Sequence, residues 1–130
     1  MAAPTLPFTR MKKLLVVDDV HDVADATATL FGLLGYKTRT AYDGREAVEA
    51  AQEERPDIVF LDLNMPVLDG FGAAREIRDS YPSPPPTLVD VSALAHLSSD
   101  ESLRACGFDF FVTKPADIDK LIAIVEGAGT

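Results

Sequence analysis

The stretch LLVVDDV, residues 14–20, runs four apolar side chains straight into two adjacent carboxylates, Asp18 and Asp19. A short, unbroken apolar run of this kind reads as a strand buried on both faces, as in a parallel sheet. Its end poses a problem. Two unit charges about 4 Å apart repel by roughly 1 kcal/mol in water, and by more as the surroundings dry out. A buried strand that ends this way either carries that cost or meets a cation there.

Outward from this strand, period and punctuation alternate regularly. HDVADATATLFGLLG (21–35) places Val23, Leu30, Phe31 and Leu34 on one helical stripe, and Gly35 stops the helix. YKTRTAY (36–42) has the Thr/Tyr content and alternation of an edge strand. Asp43, Gly44, Arg45 and Glu46 form a capping box that opens the helix REAVEAAQEER, which Pro56 ends. DIVFLDL (57–63) is the most apolar strand, and a loop through Met65 and Pro66 leads to a helix near Phe71 to Tyr81. The proline-rich connector SYPSPPP (80–86) precedes a fourth strand, TLVDVSA (87–93). Ser98 with Glu101 makes a second capping box, for a helix that Gly107 terminates. FDFFVTK (108–114) is the fifth strand, and Asp117 caps the last helix. Strands alternating with helices of this length imply right-handed crossovers and a parallel sheet covered on both faces.

Composition bounds the function. The 130 residues are 47% hydrophobic and 25% charged, which fits a single domain with a real core. A net charge of −9 argues against direct binding to nucleic acid, whose phosphates would repel the chain. No apolar run approaches the roughly 20 residues of a membrane span, and residues 1–11 lack the apolar centre of a secretory signal. Those residues read as an extension, residues 12–127 as the domain and 128–130 as a tail. A single cysteine, Cys106, excludes an internal disulfide and suits a reducing cytoplasm, and its place before Gly107 suggests core.

In a sheet of this type ligands bind outside the carboxyl ends of the strands, where strand order reverses. Strand one ends in Asp18 and Asp19, strand three in Asp62, strand four in Ser92 and strand five in Lys114. Each alone has an ordinary explanation: Asp and Ser are common turn formers and caps, and a Lys-Pro corner is usually solvated. Together at one edge they suggest a site. Three convergent carboxylates need a hard, oxygen-liganded cation, and magnesium suits them. A carboxylate is also a nucleophile toward phosphorus, with metal, ammonium and hydroxyl stabilising the phosphoryl oxygens. Asp18, Asp19 and Asp62 then make the metal side, Ser92 and Lys114 the phosphoryl side. His21 borders the site or is an ordinary surface helix residue. His96 pairs with no nucleophile.

These motifs, VVDD (16–19), DLNMPVLDG (62–70), VSALA (91–95) and FFVTKP (110–115), resemble the receiver domain of two-component response regulators over about residues 12–127. The resemblance implies a flavodoxin-like doubly wound α/β fold with five parallel strands in the order 2-1-3-4-5. It implies that Asp62 accepts a phosphoryl group from a phosphohistidine on a histidine kinase or phosphotransfer protein. Asp19 and Asp62 would bind Mg²⁺ directly with the backbone carbonyl of Asn64, and Asp18 mainly through water; Mn²⁺ is the alternative ion. Lys114 would pair with the phosphoryl oxygens, Ser92 would move to hydrogen-bond them, and Phe111 matches the switch aromatic. Lys114-Pro115 resembles the family's cis peptide. The output would be a protein-binding surface for a downstream target.

Two positions depart from the family pattern. Ala116 stands where a bulky apolar residue is common. Asp90 lies two residues before Ser92 on the same strand face, where an unpaired buried carboxylate is costly. The favoured expectation for Asp90 is a locally wet edge under the proline-rich loop, the alternative being that it tunes Ser92. Two rival functions stand beside the phosphoacceptor switch. A small metal-dependent phosphatase with an aspartyl nucleophile usually has a second Asp two residues on, where this chain has Asn64. A non-phosphorylated interaction module would be expected to lose the acidic pair or the lysine.

Overall fold

In the computed structural model, residues 12–63, 70–80, 85–92, 100–105 and 107–127 are described. The expectations for the terminal segments 1–11 and 128–130, and for Asn64, Met65, Pro66, His96, Ser98 and Cys106, lie outside them. Five strands, β1 (Lys13–Val17), β2 (Lys37–Ala41), β3 (Ile58–Leu61), β4 (Thr87–Ser92) and β5 (Phe108–Thr113), alternate with five helices. The helices are α1 (His21–Leu33), α2 (Gly44–Glu54), α3 (Gly70–Ser80), α4 (Asp100–Ala105) and α5 (Ile118–Gly127). All strand pairs are parallel and the order is β2-β1-β3-β4-β5, the doubly wound α/β arrangement expected from the sequence.

Strand alternation sorts the core into two layers. Leu14, Val16, Ile58, Phe60, Val89 and Val112 face α1 and α5. Leu15, Val17, Val59, Leu61 and Leu88 face α2 and α3. Because the central strands are covered on both sides, they need apolar residues at successive positions, which is why β1 and β3 read as unbroken runs. A register shift between Leu88 and Val89 pairs them with Phe108 and Phe110 of β5. The extra residue of β5 there, Asp109, accepts a hydrogen bond from the Leu88 N–H at 3.0 Å. This shift brings Phe108 and Phe111 onto the same layer despite their odd spacing.

The helix ends follow their local chemistry. Asp43 caps α2 by accepting from the Glu46 N–H at 2.8 Å, and Glu46 reaches back to the Tyr42 N–H at 3.0 Å. Asp117 caps α5 through the Asp119 N–H at 2.9 Å. Gly35, at φ 103°, provides the left-handed turn after α1. The buried stripe of α1 differs from expectation. It consists of Ala24, Ala28 and Phe31, whereas Val23 and Leu34 are 43% and 48% exposed. The small alanines let the helix backbone approach the sheet, with Phe31 filling the remaining space against Phe60 at a ring separation of 5.4 Å.

Candidate functional site

The carboxyl ends of β1, β3, β4 and β5 bring Asp18, Asp19, Asp62, Ser92 and Lys114 to one edge of the sheet. Asp18, Asp19 and Asp62 each present a carboxylate oxygen within 4.8 Å of the others. Asp18 and Asp62 are buried and Asp19 is exposed. Lys114 is held at the site by its backbone, whose N–H donates to the Ser92 carbonyl at 3.1 Å, just before a cis Lys114-Pro115 peptide. Its ammonium donates to Asp18 Oδ2 at 2.5 Å and to Asp62 Oδ2 at 2.8 Å. Asp18 Oδ1 accepts from the Val20 N–H at 3.0 Å, fixing the turn into α1.

This geometry answers the problem posed at the end of β1. The buried carboxylates face a cation supplied by the chain itself, while Asp19 projects to solvent. Burial pulls the Lys114 pKa down, but hydrogen bonds and charges from Asp18 and Asp62 together outweigh it, and the ammonium ends above its ordinary value. The sequence places Lys114 on a separate phosphoryl side; in the fold it bridges two members of the acidic set. The donor set suits a hard dication: oxygen ligands only, more negative charge than one lysine neutralises, and one carboxylate open to solvent.

Ser92 and Asp90 are 0% exposed. The Ser92 hydroxyl donates to Asp90 Oδ1 at 2.8 Å, and Asp90 Oδ2 has no partner among the described residues. The wet edge expected at Asp90 is therefore incorrect. The strand pairing places Asp90 beside Leu61 on one side and Phe111 on the other, and both neighbours exclude water. Burial is the main cause of an Asp90 pKa pushed up to about 6; the Ser92 hydrogen bond and Lys114 pull it down, and Asp62 pushes it up. Phe111 is half-buried against the α2/α3 layer, with the Arg104 guanidinium of α4 5.3 Å from its ring centroid.

His21 is exposed and stacks on Tyr42, with ring centroids 3.8 Å apart. The Tyr42 hydroxyl donates to Asp25 at 2.7 Å, so His21 belongs to a surface arrangement of α1 and the end of β2. Ala116 packs, partly buried, against the α1/α5 layer. Sequence reasoning assigned no role to Gly70. A Cβ there would stand 2.4 Å from the Asp62 carbonyl oxygen and 2.5 Å from Leu63 Cα. The Gly70 N–H also donates to the Leu63 carbonyl at 3.0 Å, so the start of α3 is pressed against the backbone that carries Asp62. Arg104 over Phe111 was likewise unforeseen. The signal for Gly70 was its place at the end of DLNMPVLDG; for Arg104 there was none.

Residues 14–126 match the family model of the response regulator receiver domain. The chain is 36% identical to the regulatory protein AtoC of Escherichia coli over 120 residues, which is 92% of this chain and 26% of AtoC. It spans a quarter to a half of the curated relatives it matches. Among solved structures, the chemotaxis protein CheY4 of Vibrio cholerae superposes with a TM-score of 0.79 at 28% identity, covering 92% of this chain and 99% of that one. The receiver domain of the sensor histidine kinase PA1611 from Pseudomonas aeruginosa, whose structure has a magnesium ion in its active-site cleft, gives a TM-score of 0.79 at 28% identity, covering 92% and 98%. Fold, strand order and matched span agree: this chain belongs to the response regulator receiver domain family.

Proposed function

We propose that the protein is a phosphoacceptor switch in which Asp62 takes a phosphoryl group from a phosphohistidine on a histidine kinase or phosphotransfer protein. The observation that carries this reading is the Lys114 ammonium shared between Asp62 and Asp18, with Asp19 beside them and open to solvent. In the reaction an Asp62 carboxylate oxygen attacks phosphorus, the P–N bond to the donor imidazole breaks, and its electron pair leaves with the imidazole. Lys114, already on Asp62 Oδ2, is placed to neutralise charge on the transferred oxygens, and the Ser92 hydroxyl of β4 would move to hydrogen-bond the phosphoryl group once it is on Asp62.

Asp19 and Asp62, with the Asn64 carbonyl, would hold Mg²⁺ or Mn²⁺. Asp18 contributes indirectly, since its oxygens already serve Lys114 and the Val20 N–H. The ion would supply charge neutralisation and orientation for phosphoryl oxygens. Phosphorylation then changes a protein-binding surface that includes Phe111, for a downstream protein partner rather than nucleic acid, consistent with the charge of −9. Among the described residues no helix is long and apolar enough to cross a membrane. The cytoplasm is the compartment this reading implies, and one cysteine asks for no oxidising environment. The phosphatase alternative finds no support in the family match.

The test is incubation with Mg²⁺ and acetyl phosphate or phosphoramidate, followed by mass spectrometry. One acid-labile phosphoryl group on Asp62, lost in Asp62→Asn, is the expected result. Phosphorylation of Ser92 with Asp62 untouched would remove the proposal, and rapid turnover of a generic phosphate ester would favour the phosphatase.

A further inference from the structure

A serine hydroxyl has one proton to donate. In this structure that proton is committed to Asp90 Oδ1 at 2.8 Å, inside a site where both residues are 0% exposed. The acceptor is a carboxylate, so the bond is of the stronger, charge-assisted kind. Asp90 has no other donor among the described residues, because its Oδ2 is already unpartnered. If Ser92 turns away, Oδ1 loses its donor as well, and a buried carboxylate is left with neither oxygen partnered among the described residues while negative charge accumulates on the neighbouring strand at Asp62. Asp90 pairs in register with Leu61, the residue before Asp62, and with Phe111 across β5. It is therefore wedged between the acceptor strand and the strand that carries the aromatic.

We infer that Asp90 is a positioning residue that retains the Ser92 hydroxyl in competition with a phosphoryl group on Asp62, biasing the domain toward its unphosphorylated arrangement. The inference rests on the phosphoacceptor reading above. It assigns Asp90 to the control of that site rather than to its chemistry. Nothing in the transfer step needs Asp90; what it alters is the cost of recruiting Ser92 afterwards.

The experiment measures binding of beryllofluoride with Mg²⁺, a mimic of the aspartyl phosphate, to wild type, Asp90→Asn, Ser92→Ala and the double variant. Asp90→Asn removes the charge that holds the hydroxyl and should tighten binding by about tenfold, the scale of one hydrogen bond to a charged group. In the Ser92→Ala background the same change should tighten binding by roughly twofold or less, because only the field of the carboxylate is left to remove. Equal gains in both backgrounds would show that Asp90 acts by charge alone, and no gain in either would show that it holds nothing back; each overturns the inference. Asp90→Leu replaces Asp90→Asn if the latter does not fold. Independently, a structure of the wild-type complex should show Ser92 Oγ off Asp90, and a retained Ser92–Asp90 bond there refutes the inference without any variant. Failure of wild type to bind beryllofluoride or accept phosphoryl would instead refute the phosphoacceptor reading itself.

Discussion

Asp90 makes the stability of this domain depend on pH in a direction opposite to that of a salt-bridged carboxylate. Its pKa is about 6 in the fold, against 3.8 for the free side chain, chiefly because burial disfavours the charged form. Between those values the folded chain binds more protons than the unfolded one, so stability falls as pH rises through the window. The full gap is worth about 3 kcal/mol at 1.36 kcal/mol per pH unit. Roughly 1 kcal/mol of it should be recovered on going from pH 7 to pH 5, where the chain is still above its pI of about 4.5. The perturbation is Asp90→Asn, which cannot titrate. The assay is urea unfolding of wild type and variant at matched pH in the presence of a chelator. The variant carries a fixed offset from its buried amide, so the informative quantity is how the difference changes with pH. Carboxylates that do not act on Asp90 cancel in that difference, and Asp62 is the one that acts on it directly. Wild type should gain on the variant as pH falls, with a relative midpoint shift of about 0.3–1 M urea between pH 7 and pH 5. A flat difference, or a wild type that loses ground on acidification, would mean that Asp90 is well solvated or fully paired, and the burial argument would fail.

Three further outcomes are expected. Gly70→Ala must displace the backbone of Asp62 and Leu63, since its Cβ would lie 2.4 Å from the Asp62 carbonyl oxygen; it should cost about 1–3 kcal/mol in urea unfolding and slow phosphorylation by acetyl phosphate, and an equally stable and reactive variant would contradict the close approach. Mg²⁺ should raise the thermal midpoint, by an amount corresponding to about 2.7 kcal/mol at a hundred times its Kd, and Asp19→Asn should lose most of that shift while leaving metal-free stability nearly unchanged; a full shift in the variant would exclude the acidic cluster as the site. Lys114→Met leaves Asp18 and Asp62 buried without their cation, so metal-free stability should drop by about 3 kcal/mol, with partial recovery in Mg²⁺; an unchanged urea midpoint would show that the ammonium contributes no net stabilisation.

The parts of this molecule that the sequence made legible are those whose cause is local. β1 and β3 are unbroken apolar runs because both their faces are covered, and their ends are marked by the carboxylates that follow. The Asp43–Glu46 box and the Asp117 cap are satisfied within one helical turn, so a few residues determine them. The α1 stripe follows expectation at Phe31, which is buried, and departs from it at Val23 and Leu34, because a large apolar side chain does not by itself mark burial. Against the sheet, closeness of approach selects Ala24 and Ala28 beside Phe31, and Val23 is left outside. Asp90 was misjudged for a different reason. Its partner, Ser92, is local and was in view, but whether water reaches the pair depends on β5, which lays Phe111 alongside, and on β3, which lays Leu61 on the other flank. Gly70 is similar: only the return of α3 onto the Asp62 backbone reveals that a side chain has no room there. Local pattern therefore delivers the reactive groups to one edge of the sheet. The constraints on how those groups move, the dry surroundings of the Ser92–Asp90 bond and the pinned Asp62 backbone, come from contacts between strands and helices that no single stretch of sequence contains. A substitution that leaves every motif intact, such as Asp90→Asn, is accordingly the kind that changes the poise of this domain without changing its chemistry.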